Sequence, residues 1–200
     1  MGPTLLVHGY LATPGLMRPM RRTLRDLGHD VHLVPELSPL VVGDVRRHAA
    51  ELDAAVERVR ARTGVDRVDV VGASQGGIIA LWWAANGGWD RLGRLVAVGT
   101  PFRGSPAARL PSRVFGGLSE GIRQLVPGAS VLDALAAAPL HRPVCSVSMR
   151  GDPVCPPEVC VLDGMQSVVL DGSFGPLTHQ LLMLDKRVAQ AVHRGLEGRC

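Results

Sequence analysis

Apolar residues recur along the chain in two alternating patterns. Short runs rich in valine and leucine predict buried strands, and longer segments with an apolar residue at every third or fourth position predict helices. The predicted strands are 4–7, 31–34, 68–71, 95–98, 144–149 and 167–170, and the predicted helices are 16–27, 44–62, 75–86 and 178–194. Such alternation is typical of an α/β domain whose mostly parallel sheet has helices on both faces. The pattern therefore predicts a single domain over residues 1–200, with about six strands.

Two local details follow from the same pattern. In the last helix, four apolar residues at helical spacing are expected to face the core; they are Leu181, Leu184, Val188 and Val192. Before the fifth strand, Ser130 with Asp133 three residues later predicts a capping box at the start of a short helix.

The long connection 106–143, between the fourth and fifth predicted strands, is the natural candidate for a cap over the sheet edge. Its apolar stripe consists of Val114, Leu118, Ile122 and Leu125 at helical spacing. The stripe fits a mobile lid that opens on a lipid surface, and it fits a fixed flap packed on the body equally well. A lid predicts activity that rises sharply once the substrate forms an interface.

The composition is that of an ordinary soluble globular domain, with 46% apolar and 20% charged residues. No apolar run approaches the ~20 residues that cross a bilayer, so we expect no stable membrane insertion. The start of the chain reads as a strand rather than a secretory signal, which predicts a cytoplasmic protein, or a secreted one if a leader has been removed. The net charge of +4 is modest. Arg18, Arg21, Arg22 and Arg25 cluster without interleaved aromatic residues, which argues against nucleic-acid binding.

Four cysteines are present, at positions 145, 155, 160 and 200. Their spacing matches no zinc pattern, so we expect no metal site. Cys155 and Cys160 could form a disulfide in an exported protein. Without an export signal, the sequence favours free thiols.

The clearest chemical signal is the segment Gly72-Ala73-Ser74-Gln75-Gly76-Gly77. It follows a predicted strand and opens a predicted helix, which is the context that holds a serine in a strained turn with its hydroxyl above the sheet. The glycines provide the room that the two crossing backbones need. Ser74 is therefore the predicted nucleophile, and the helix that begins after it directs free N–H groups toward the reacting centre.

A serine hydroxyl needs a base, and the base needs an orienting acid. Of the seven histidines, His179 lies after the final strand, where a helix begins, and is the predicted base. His8 is expected to pack beside the loop that carries Tyr10. Asp152, in the turn after strand five, is the predicted acid, with Asp171 after strand six as its rival. The chain order serine, acid, histidine is that of one convergent solution to this chemistry.

Several segments together resemble an α/β-hydrolase of the bacterial lipase and esterase type. They are Leu6-Val7-His8-Gly9-Tyr10, the Ser74 turn, Val98 to Ser105, Gln124 to Ser130, Gly151-Asp152-Pro153-Val154 and His179. The resemblance covers nearly the whole domain, in a minimal form that lacks the usual first two antiparallel strands. It departs at Phe102, where bacterial lipases usually have histidine, and nothing resembles the calcium site of the larger lipases.

The resemblance implies a triad of Ser74, Asp152 and His179. It also implies an oxyanion hole formed by the backbone N–H groups of Tyr10 and Gln75. We further expect Leu11, Phe102 and Val154 to line the substrate pocket.

The first functional hypothesis is a serine hydrolase that cleaves carboxylic esters through an acyl-enzyme. No cofactor is needed, and the expected partner is a small-molecule ester or acyl substrate; the oligomeric state is left open. One alternative is a thioesterase or acyltransferase, since the Ser-Gln-Gly-Gly variant also occurs in thioesterases. The alternative from another class is a non-catalytic protein of the same fold that binds an apolar small molecule.

Overall fold

Six parallel strands form one sheet in the part of the chain that the structure, a computed structural model, describes: residues 2–34, 37, 39–109 and 119–200. The strands are β1 (Thr4–Val7), β2 (Val31–Leu33), β3 (Val68–Ala73), β4 (Leu92–Val98), β5 (Val144–Met149) and β6 (Gln166–Leu170). Their spatial order is β2-β1-β3-β4-β5-β6. The order reverses direction at β1, between β2 and β3, and ligands of open α/β sheets bind beyond the carboxyl ends of the strands near such a point. The predicted α/β class is confirmed.

Helices connect the strands and cover both faces of the sheet. They are α1 (Arg18–Asp26), α2 (Val45–Thr63), α3 (Gln75–Trp83), α4 (Glu120–Arg123), α5 (Ser130–Ala137), α6 (Thr178–Leu181) and α7 (Lys186–Leu196). Single tight turns of helix lie at Pro14–Met17, Pro39–Val41, Pro106–Ala108, Pro157–Val159 and Leu182–Leu184, and a wider turn at Ala84–Gly88 follows α3. None of the helices in these described ranges is both long and apolar enough to span a bilayer.

Two apolar cores lie on opposite faces of the sheet because successive strand residues point to opposite sides. In β3, Val70 packs in the core beneath α2 and α3, whereas Val71 packs in the core beneath α1 and α7. Both residues are fully buried. This is why apolar residues occupy successive positions in β3, such as Val70 and Val71, rather than alternate ones.

The predicted last helix is interrupted. Asp185 has an extended backbone, and its side chain accepts a hydrogen bond from the N–H of Arg187 and caps α7. The residues before it form the separate α6 and a tight turn, so the helical phase changes. Leu184, which was expected to face inward, is 53% exposed, whereas Val188 and Val192 are buried as predicted.

The predicted capping box at Ser130 is also wrong. Ala129 has the extended backbone of an N-cap residue, and Ser130 is the first residue of α5, where its hydroxyl makes no capping hydrogen bond. Helix α5 itself is present. Its buried residues Val131, Leu132 and Leu135 pack in the same core as α3, so this part of the predicted cap segment contributes to the body of the fold. Val114 and Leu118 lie outside the described residues.

The expectation of free thiols is wrong for two of the four cysteines. Cys145 in β5 forms a disulfide with Cys200, 55 positions later. Helix α7 lies over β5 at this point, where Gly195 leaves room for the Cys145 sulfur: a Cβ on Gly195 would be 3.2 Å from Sγ. The pairing comes from this packing, which spacing along the chain does not reveal. Cys155 and Cys160 are free and buried.

Thiol titration with DTNB gives a direct check of this arrangement. Burial raises the pKa of the Cys160 thiol to about 12 and the pKa of Cys155 well above its usual range. Because the thiolate is the reactive form, we expect almost no reaction of the native protein at pH 8. In denaturant without a reductant, two thiols per chain should react rather than all four cysteines. Four reacting thiols would contradict the disulfide.

Candidate active site

Ser74 lies in the sharp turn between β3 and α3. Its backbone angles are φ 53° and ψ −126°, a left-handed conformation that costs a non-glycine residue roughly 1–3 kcal/mol. The turn is held from both sides, since the N–H of Ser74 donates to the Val98 carbonyl at 2.8 Å and its carbonyl accepts from the Gly77 N–H at 3.0 Å. The strained conformation is therefore enforced by the neighbouring strand and by the first turn of the helix.

Two glycines make this turn sterically feasible. A Cβ on Gly72 would lie 2.5 Å from the Gly77 Cα, and a Cβ on Gly76 would lie 2.3 Å from the Val7 carbonyl oxygen. Both obstacles are backbone atoms, which cannot move aside as the tip of a side chain can. The motif thus depends on a close crossing of β3, β1 and α3, as its strand-to-helix context predicts.

His179 and Asp152 complete a continuous hydrogen-bonded chain with this serine. His179 Nε2 lies 2.9 Å from the Ser74 Oγ, and His179 Nδ1 lies 2.8 Å from the Asp152 Oδ2. In the tautomer that suits this chain, Nδ1–H donates to the carboxylate and Nε2 accepts the serine O–H. The structure thus brings together a serine from the end of β3, an aspartate from the turn after β5 and a histidine from α6, which follows β6.

The carboxylate of Asp152 is buried and oriented by the backbone. Its Oδ1 accepts hydrogen bonds from the N–H groups of Val154 at 2.9 Å and Cys155 at 3.0 Å, which leaves Oδ2 for the histidine. Asp171, the rival acid, is placed differently: its side chain is 88% exposed and pairs with Arg150 at 2.9 Å.

The turn that leads into α6, the helix that carries His179, is held by a residue that the sequence reasoning missed. Thr178 is fully buried, and its hydroxyl accepts from the Phe174 N–H and donates to the Gly175 carbonyl, both at 2.8 Å. These bonds close the exposed turn just before the base. The sequence gives little indication of this role, because the hydrogen-bond partners of Thr178 are set by the conformation of the preceding turn.

The two backbone donors predicted for an oxyanion lie on adjacent segments. Gln75 is the first residue of α3, so its N–H has no acceptor within the helix. The segment that carries Tyr10 approaches closely, because a Cβ on Gly9 would be 2.8 Å from the Ser74 Cβ and 3.2 Å from the Gln75 N. Only glycine permits this approach.

An apolar cavity of about 370 Å³ opens beside the Ser74 hydroxyl. Its apolar lining includes Leu11, Leu16, Met17, Val98, Ala108, Ile122, Leu125, Val154, Leu182 and Met183. Leu11 and Val154, two of the three residues expected to line the substrate pocket, thus line this cavity. Phe102 does not: it is fully buried in the core beneath α3, because the turn after β4 directs its ring inward.

His8 lies beside this cavity as well. It is 1% exposed, and burial lowers its pKa, so the ring is neutral near pH 7. It is a wall residue beside the Tyr10 loop rather than a partner of Ser74. Among the described residues, no group of three or more histidine, cysteine, aspartate or glutamate side chains is arranged to hold a metal ion.

Comparison with known proteins agrees with this architecture. Residues 2–141 match the family described as the alpha/beta hydrolase fold. The chain belongs to this α/β-hydrolase family. A sequence comparison with curated proteins finds no match.

Solved structures of lipases and esterases resemble this α/β-hydrolase in fold. The mature lipase BlEst2 of Bacillus licheniformis superimposes with a TM-score of 0.80 at 16% identity, over 96% of this chain and 91% of the lipase. A thermophilic esterase of Thermogutta terrifontis gives a TM-score of 0.64 at 20% identity, over 100% of this chain and 90% of the esterase. Lipase B of Aspergillus fumigatus gives 0.74 at 15% identity, over 98% of this chain and 52% of that lipase. At these identities the likeness concerns the fold.

Proposed function

We propose that this α/β-hydrolase cleaves carboxylic esters through an acyl-enzyme formed on Ser74. One observation carries the proposal: the hydrogen-bonded chain from Ser74 through His179 to Asp152 ends at the wall of an apolar cavity. A buried carboxylate, an imidazole and a strained serine in this order are the parts that nucleophilic acyl transfer requires.

The first half-reaction forms the acyl-enzyme. His179 Nε2 takes the Ser74 hydroxyl proton while Oγ attacks the ester carbonyl carbon, and the carbonyl oxygen becomes an oxyanion. The resulting imidazolium is stabilised by the Asp152 carboxylate, which stays ionised. The imidazolium then gives its proton to the alcohol oxygen, the bond between the acyl carbon and that oxygen breaks, and the alcohol leaves.

The second half-reaction returns the free enzyme. Water replaces the alcohol, His179 takes its proton, and the hydroxide oxygen attacks the acyl carbon. Collapse of this second tetrahedral intermediate breaks the bond to Ser74 Oγ, which regains its proton from His179, and the carboxylic acid leaves. In both half-reactions the oxyanion faces the N–H groups of Tyr10 and Gln75, and each such donor contributes about 3–4 kcal/mol in comparable sites.

The cavity favours an acyl group longer than acetyl. A volume of about 370 Å³ with an apolar wall gives little binding energy to a two-carbon group, whereas each buried methylene contributes ~0.8 kcal/mol. We therefore expect a medium-length acyl chain to lie against the side chains of Ile122, Leu125 and Val154.

The proposed activity is tested by hydrolysis of p-nitrophenyl esters from acetyl to palmitoyl beside acyl thioesters of the same lengths. We expect ester turnover with an optimum beyond acetyl, together with labelling of Ser74 by a fluorophosphonate, located by peptide mass spectrometry. Faster turnover of the thioesters would favour a thioesterase. A chain that binds fatty acid but neither turns over an ester nor reacts with the phosphonate would be a non-catalytic binder.

A further inference from the structure

The chain contains a single tyrosine, Tyr10, and its side chain extends from the candidate oxyanion hole to the residue that caps α4. The Tyr10 hydroxyl donates to the Ser119 Oγ at 3.1 Å, and the Ser119 hydroxyl donates to the Val42 carbonyl at 3.0 Å. Ser119 also caps α4 by accepting from the Ile122 N–H. One side-chain hydrogen bond therefore joins the residue whose N–H faces the oxyanion to the start of a helix 109 positions away.

Backbone hydrogen bonds join the Tyr10 turn directly to the loop before α2, which the Tyr10 side chain already reaches through Ser119. The N–H of Leu11 donates to the Leu40 carbonyl at 2.6 Å, and the N–H of Leu40 donates to the Ala12 carbonyl at 3.1 Å. Leu11 and Leu40 both have left-handed backbones, with φ of 54° and 70°. Non-glycine residues keep such angles only where surrounding contacts enforce them. The loop before α2 therefore holds in place the turn at Tyr10 and Leu11, which we call the oxyanion turn.

Hydrogen bonds also link α4 and the residue after it to that same loop. The Gly121 N–H donates to the Val42 carbonyl at 2.9 Å, and the Gln124 Oε1 accepts from the Val45 N–H at 2.8 Å. A Cβ on Gly121 would be 3.0 Å from the Val42 carbonyl oxygen, so the approach is as close as the backbone allows. On its other side, α4 and the residue pair after it present Ile122 and Leu125 to the cavity.

We propose that Ser119 is a positioning residue through which the acyl chain in the cavity places the Tyr10 N–H for catalysis. This inference rests on the proposed esterase function. An acyl chain packed on Ile122 and Leu125 presses α4 against the loop before α2, and the bond from Ser119 to Tyr10 then holds the oxyanion turn in register with Gln75. Binding energy from the remote, unreacting end of the substrate is thus used at the reacting carbonyl, which raises kcat rather than lowering KM.

The kinetic test compares p-nitrophenyl acetate with p-nitrophenyl octanoate. Tyr10→Phe removes the donor of the Tyr10–Ser119 hydrogen bond, and Ser119→Ala removes its acceptor. We expect each to lower kcat for octanoate roughly tenfold and kcat for acetate by a clearly smaller factor, with changes in KM within about twofold. The double variant should be no slower than the slower single variant, because both changes delete the same interaction. Ser119→Thr keeps the hydroxyl and should restore turnover.

Ser130→Ala is the matched control, since Ser130 is an exposed serine at the start of α5 with no capping bond; its kcat should equal that of the wild type. Equal losses on both esters, multiplicative effects in the double variant, or wild-type rates in both single variants would overturn the coupling.

A spectroscopic test uses the single tyrosine. Labelling with 3-fluorotyrosine gives one ¹⁹F resonance, and reaction of Ser74 with an octyl phosphonate should move it, whereas a methyl phosphonate should not. In Ser119→Ala the two adducts should give the same resonance. An unmoved wild-type resonance overturns the coupling while the esterase proposal stands. A wild type that neither hydrolyses esters nor reacts with phosphonates overturns the esterase proposal, and the coupling with it.

Discussion

Ser74→Ala is expected to abolish ester turnover, by as much as ~10⁶-fold, while the protein stays folded. The variant removes the only atom that can form the acyl-enzyme in the proposed mechanism, so binding and the oxyanion hole alone remain. Alanine and serine both carry a Cβ, so the left-handed backbone at this position, with φ 53°, strains both residues alike. The free energy of unfolding of the variant should therefore match that of the wild type closely. The measurement is kcat/KM on the best p-nitrophenyl ester, with circular dichroism as the folding check.

Ser167→Ala is the control for this substitution, since Ser167 is an exposed serine on β6 outside the cavity. It should retain wild-type turnover. Esterase activity that survives in Ser74→Ala would remove Ser74 from the mechanism, whatever the folded state of the variant.

Asp152→Asn should lower kcat by about 10⁴-fold, whereas Asp171→Asn should change it by less than about twofold. An asparagine at 152 can still accept from the Val154 and Cys155 N–H groups through its oxygen, so the loop keeps its shape. Its NH₂ group then faces His179 Nδ1, which must become the acceptor. The ring proton moves to Nε2, the atom that should take the serine proton.

The comparison of the two aspartates is read from kcat at saturating ester. Asp171 pairs with Arg150 at an exposed position, and such a pair contributes little to stability, so its amide variant serves as a matched control. A large loss in Asp171→Asn with a small one in Asp152→Asn would reassign the acid to the end of β6.

Some of this site follows from local sequence alone. The Ser74 turn does, because a strand, a small-residue bend and a helix in succession force one backbone path, and Gly72 and Gly76 are the residues that such a crossing admits. The six strands follow as well, since a sheet covered on both faces demands continuous apolar runs. The end of β5 could be located in this way, but both Asp152 and Asp171 follow strands, and pattern alone does not separate them.

The division of the predicted last helix, 178–194, could not be predicted from local sequence. Leu181, Leu184, Val188 and Val192 fit one continuous stripe, yet the cap formed by Asp185 divides the segment and leaves Leu184 exposed. An aspartate inside an apolar stripe can cap a helix or face solvent within one. Packing of α7 on the sheet decides between these outcomes.

By itself, then, the chain determined its α/β class, its strands and the strained serine, because each depends on residues within a few positions of one another. Only the folded molecule decided which carboxylate meets His179, that Cys145 bonds to Cys200, that Phe102 turns into the core, and that the hydroxyl of Tyr10 reaches Ser119. Those contacts join segments 27 to 109 positions apart. They arise from how helices and loops pack around the sheet, and no periodicity along the sequence encodes them.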